Sequence, residues 1–107
     1  MKAIAIVPGT TQVALVDVDE PMINAEDEVK IKVWQVGICG TDREEVSGGR
    51  ADAPAGKKEL IIGHEMFGEV VEVGSSVTKV KRGDYGVFMV RRGCGKCKAC
   101  LNGRSDM

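Results

Sequence analysis

Glycine recurs so often in this chain that no long element survives between breaks: 14 of 107 residues are glycine, about twice the usual share of about 7%. What remains between the breaks is a series of short β-rich runs. Met1 to Val7 ends at Pro8-Gly9-Thr10-Thr11, and Gln12 to Val18 ends at Asp19-Glu20-Pro21, which predicts an opening hairpin. From Glu28 onward, Val29, Ile31 and Val33 alternate with Lys30, Lys32 and Trp34, the period of two that marks a strand with one buried face. Leu60 to Ile62 and Met66 to Val73 are strand candidates on either side of Gly63-His64-Glu65, and Val77 to Lys81 and Gly86 to Arg91 offer two more. Thr41-Asp42-Arg43-Glu44 has the form of a capping box, so a short helix is expected from Thr41, stopped by Gly48-Gly49. Six or seven strands with one helical turn, without βαβ alternation or internal repeat, define a mainly β chain and a closed or partly open antiparallel barrel. A chain of this length buries roughly two-thirds of its unfolded surface. It is expected to fold alone around an aliphatic core, with no room for a second domain.

Charge and hydropathy exclude several classes of partner. Fifteen basic residues against 16 acidic ones leave a net charge of −1, so nothing attracts the chain to nucleic acid or to an anionic membrane surface. No apolar run has the length of a membrane span. The opening apolar run breaks at Pro8-Gly9 before reaching the length of a signal-peptide core, and the expected compartment is the cytoplasm. No G-x-G-x-x-G follows a strand to open a long helix, so these residues carry no recognisable dinucleotide site.

Cysteine placement points to metal. Cys94, Cys97 and Cys100 form C-x-x-C-x-x-C, close enough for one loop to wrap a tetrahedral ion with thiolates, with Arg91, Arg92, Lys96 and Lys98 nearby to offset the charge. A closed tetrahedral site needs a fourth ligand. A bacterial iron–sulfur run would place a cysteine where Arg104 stands and a proline where Ser105 stands. Cys39 could instead close a Cys₄ site, giving a plain zinc-stabilised module, or a cysteine could follow Met107 in a longer chain. The third reading is the expectation, because Ser105-Asp106-Met107 carries no terminal cap.

Cys39 and His64, the only histidine, each stand beside glycine at the end of an expected strand. Neighbouring strand ends can converge on one point, so the two read together as a second, open metal site. Gly37-Ile38-Cys39-Gly40-Thr41-Asp42 and Gly63-His64-Glu65-x-x-Gly68-x₅-Gly74-x-x-Val77 resemble the catalytic-zinc motifs of the zinc-dependent medium-chain alcohol dehydrogenases. Arg91-Arg92-Gly93-Cys94-Gly95-x-Cys97-x-x-Cys100, with Gly103-Arg104-x-Asp106, is similar to the structural-zinc lobe of that family, and the flanking arginines most resemble its glucose (aldose) dehydrogenase branch.

The resemblance carries specific implications. Residues 1–107 would be a GroES-like catalytic domain, a partly open β-barrel with short helices and a zinc-binding cysteine lobe, followed by a nucleotide-binding Rossmann domain of the same chain after residue 107. Cys39, His64 and Glu65 would be catalytic-zinc ligands, with Glu65 a third or exchanging one. Asp42 would orient His64, and Thr41 would relay the substrate proton toward solvent. Cys94, Cys97 and Cys100 would hold the structural zinc. The implied activity is hydride transfer from a sugar or polyol to NAD or NADP, with zinc as Lewis acid and a nicotinamide as acceptor because zinc has no redox chemistry. Gly40, where many simple-alcohol dehydrogenases carry a basic residue, leans toward sugar or polyol substrates. A homo-oligomer is implied at full length, and the isolated 107 residues are expected to be inactive. The alternative is a non-enzymatic GroES-like, zinc-stabilised module.

Overall fold

The structure, a computed structural model, describes residues 1–88, 90, 91 and 93–104. Strands β1 (Lys2–Ile6) and β2 (Val13–Asp17) form the expected hairpin, in register from Lys2 opposite Asp17 to Ile6 opposite Val13. Thr10 shapes the connection, its hydroxyl donating to the Val7 carbonyl at 2.7 Å and accepting from the Gln12 N–H at 3.1 Å. The two-residue strand β4 (Leu60–Ile61) pairs with the other edge of β1. The second sheet joins β3 (Val29–Gly37), β5 (Glu65–Val73) and β6 (Tyr85–Phe88) in the order β3-β5-β6. All pairings are antiparallel.

The chain is therefore mainly β, built as two three-stranded sheets, and the closed form of the barrel is not what it adopts. Helix α1 (Gly40–Val46) leaves the end of β3, and α2 (Lys98–Leu101) lies in the cysteine lobe. No helix among the described residues is long and apolar enough to cross a membrane.

Several elements differ from the sequence expectation. Val77 to Lys81 is not a strand. Asp84 holds the end of that segment in a turn, accepting from the Lys81 backbone N–H at 2.9 Å and from its ammonium at 2.8 Å, and β6 begins only afterwards. The strand expected over Gly86 to Arg91 is described as β6 only to Phe88; Met89, inside the expected span, and Arg92 and Asp106 of the cysteine-lobe motif lie outside the described residues. The alternation in β3 is broken by irregularities between Lys30 and Ile31 and between Val33 and Gln35. After such an irregularity the side chains change face, and Trp34 is 53% exposed with the Lys32 ammonium 4.7 Å above its ring.

The expectation of a self-sufficient core also fails. Among the described residues only Ala5, Ile6 and Val70 are buried apolar side chains, whereas Leu15, Val36, Ile61 and Val87 stand exposed. The accessible surface is 8374 Å² for 11.4 kDa, where about 5,800 Å² is typical of a folded monomer of that mass. The radius of gyration, 15.5 Å, likewise exceeds the roughly 13 Å of a compact domain of this length. A length rule assumes that apolar faces find partners within the chain, and two small open sheets leave most of theirs uncovered. Between the sheets lies an apolar cavity of about 680 Å³, lined by Ile4, Val13, Val36 and Ile62, with Val46 of α1 on one side.

Candidate metal centre

Ladder register brings the first cluster together. The terminal pair of the β3–β5 ladder is Gly37 with Glu65. Cys39 lies two residues beyond one end of that pair and His64 one residue before the other, so two residues 25 positions apart in the chain close on a single point. Gly63 makes the approach possible: its φ is +109°, in the region that side chains with a Cβ avoid, and a Cβ there would stand 2.9 Å from Val36 Cγ1. Across the ladder, a Cβ on Gly37 would come within 2.9 Å of Glu65 Oε2, so glycine leaves the carboxylate its space.

The donor atoms are assembled. Cys39 Sγ and His64 Nε2 are 3.1 Å apart, and Cys39, His64 and Glu65 each offer a ligand atom within 4.8 Å of the others. Two ligands bound at 2.0–2.3 Å with a tetrahedral angle stand about 3.3–3.8 Å apart, so the Cys39–His64 pair would need to part by only a few tenths of an ångström. Thiolate, imidazole and carboxylate suit zinc, and three donors leave a coordination position open. His64 Nδ1 faces Asp42 Oδ1 at 3.5 Å, which leaves Nε2 toward the thiol. Asp42 is 6% exposed and is the one buried charged residue among those described.

Helix α1 begins differently from the expected Thr41–Glu44 capping box. Its N-cap is Cys39: the Thr41 N–H donates to Cys39 Sγ at 3.2 Å, and the Cys39 N–H donates to Asp42 Oδ2 at 2.8 Å. The spacing of a capping box is kept, two residues earlier, with a thiol in the hydroxyl's place. Cap preference does not point to Cys39, because cysteine is not among the preferred N-cap residues. The signal was the Cys39-x-x-Asp42 spacing. Thr41 itself is exposed at the second position of α1.

Cys94, Cys97 and Cys100 make the second cluster, with ligand atoms also within 4.8 Å of one another. Cys97 and Cys100 sulfurs are 3.5 Å apart, and Cys94 and Cys100 sulfurs 3.9 Å. Backbone N–H groups of Lys96 and Cys97, then the two neighbouring thiols, push the Cys94 thiol down to about 7, which favours the ligating thiolate form. Cys39 belongs to the first cluster and not to this one, so the Cys₄ arrangement with Cys39 is not formed. A fourth ligand expected after Met107 lies outside the described residues.

Comparison with known proteins fits this geometry. Residues 25–107 match the alcohol dehydrogenase GroES-like domain. The chain belongs to that family. This GroES-like domain is 46% identical over its whole length to the glucose 1-dehydrogenase of Methanocella arvoryzae, of which it covers 30%. Its fold superimposes on the alcohol dehydrogenase from Thermus sp. ATN1 with a TM-score of 0.83 at 26% identity, covering 99% of this chain and 29% of that one. It matches the Haloferax mediterranei glucose dehydrogenase, solved with NADP, Zn and gluconolactone, with a TM-score of 0.78 at 31% identity, covering 100% of this chain and 30% of that one. The GroES-like domain thus spans about 30% of the length of the curated relatives it matches.

Proposed function

We propose that this chain is the N-terminal catalytic part of a zinc-dependent oxidoreductase that transfers hydride from a sugar or polyol to NAD or NADP, the nucleotide being bound by a following Rossmann domain. The observation that carries this reading is the convergence of Cys39, His64 and Glu65, backed by a buried carboxylate. A purely structural site would be closed by four protein ligands, whereas an open, mixed donor set suits a substrate oxygen. The relatives that are glucose dehydrogenases, one of them holding NADP, zinc and gluconolactone, support the substrate class.

Zinc held there would supply Lewis acidity toward an alcohol oxygen, while hydride acceptance falls to the nicotinamide. Asp42 Oδ1 keeps His64 turned with Nε2 toward the donor cluster. The Thr41 hydroxyl, on the exposed start of α1, takes the substrate proton toward solvent. Cys94, Cys97 and Cys100 would hold a second, structural zinc, with a fourth ligand expected from a cysteine after residue 107.

The test is metal counting and turnover in the complete protein. Two zincs per chain are expected, with Cys39→Ser reduced to one and its sugar oxidation lowered by more than about 100-fold, beyond the loss usual for residues behind the ligands. A fully active Cys39→Ser protein would overturn the assignment, and one zinc per chain would favour the non-enzymatic module.

A further inference from the structure

The two oxygens of Asp42 have different partners. Oδ2 accepts from the Cys39 N–H at 2.8 Å and so closes the start of α1, while Oδ1 faces His64 Nδ1 at 3.5 Å. His64 Nε2 in turn meets Cys39 Sγ at 3.1 Å, and the same sulfur accepts from the Thr41 N–H at 3.2 Å. Cys39, Asp42 and His64 thus form a closed ring of contacts in which one thiol is both helix cap and metal donor. We propose that Asp42 is a positioning residue shared between two tasks, capping α1 and orienting His64, so that ion binding at Cys39 and His64 and the order of α1 are one coupled property.

This inference rests on the metal site proposed above and goes beyond it. Binding an ion to the ring restrains Cys39 and His64 together, and through Cys39 the first turn of α1. Val46 of that helix lines the cavity between the sheets, so loading the site also steadies one wall of the cavity. The two tasks have different chemical requirements. An asparagine at position 42 keeps an acceptor oxygen for the Cys39 N–H. Its amide NH₂ would, however, meet His64 Nδ1 as a donor and favour the tautomer with hydrogen on Nε2, the wrong one for ligation through that atom. Alanine removes both tasks.

The coupling is tested in the complete protein by hydrogen exchange at the amides of residues 41–49 with and without cobalt(II), alongside the absorption band of cobalt bound to the Cys39 thiolate. In the parent, cobalt is expected to slow exchange across α1 at least tenfold. Asp42→Asn should keep cobalt-free α1 protection within about threefold of the parent while its cobalt affinity falls 10–100-fold, the range usual for a partner behind a ligand. Asp42→Ala should lose about fivefold in α1 protection, as for loss of a cap, and the same affinity. Asp42→Glu, which keeps the carboxylate, should recover part of both. A parent with the Cys39-dependent band whose α1 exchange ignores cobalt would overturn this inference and leave the metal site standing. So would an Asp42→Asn protein with parental cobalt affinity. Absence of any Cys39-dependent band would overturn both readings.

Discussion

The two candidate metal clusters are built on opposite principles. Cys94, Cys97 and Cys100 come from seven consecutive residues in a lobe that is mostly exposed. Cys39, His64 and Glu65 come from the ends of two strands and the start of a helix, and behind them stands the buried carboxylate of Asp42. In the lobe the thiols converge because the chain is short, held by local bonds such as the Cys97 N–H to Cys94 Sγ at 3.3 Å and by the single turn of α2. In the first cluster a ladder, a helix cap and a carboxylate hold the donors in place. The difference teaches that ligand spacing along a chain and pre-organisation in a fold are separate properties, and that the second suits a site whose metal must keep an open position.

Ion removal tests this contrast with the largest effect. On chelation of the metal-loaded complete protein, amides of residues 94–104 should lose protection more than about 100-fold, since binding energy is folding energy for a local metal loop. Amides of β3 and β5 should change little. Equal losses in both regions would erase the distinction.

Gly63→Ala sharpens the comparison from the other side. Forcing a Cβ into φ +109° and against Val36 should cost about 1–3 kcal/mol. Ion binding at Cys39 and His64 should weaken, while the cysteine lobe keeps its ion, as read by denaturant midpoints and cobalt titration. A variant that weakened the lobe equally would point to general unfolding.

The smallest expected effect lies away from both clusters, in the turn before β6. The Lys81 side chain, then its backbone N–H, hold the Asp84 carboxyl below the usual aspartate range. Its stabilising contribution is present above the ordinary aspartate pKa and is lost as pH falls through the lowered one. Asp84→Asn should therefore lower the denaturant midpoint slightly near neutral pH, with the difference shrinking in strong acid and neither metal site affected.

Much of this architecture is readable in the residues. The hairpin, the presence of a strand at β3 and the strand after His64 follow from β-rich runs cut by glycine and proline. The apolar–polar pattern of Val77 to Lys81 points to a strand but says nothing of Asp84, whose bonds to Lys81 close a turn there. Hydroxyl-cap preference points to a helix start at Thr41, whereas Cys39 takes that role. The thin core does not show in composition, which counts apolar residues without saying whether another surface covers them.

Residue order alone established the type of chemistry: a local thiolate triad follows from spacing, since chain connectivity keeps near neighbours close in any fold. That Cys39, His64 and Glu65 belong to one site is an expectation of the sequence; the 3.1 Å approach of thiol and imidazole, and one carboxylate that both caps α1 and faces the imidazole, came from the folded arrangement. A one-residue slip between β3 and β5 would turn alternate side chains to the other face and part the donors, and the two irregularities of that ladder, after Lys30 and after Val33, show only in the folded sheet.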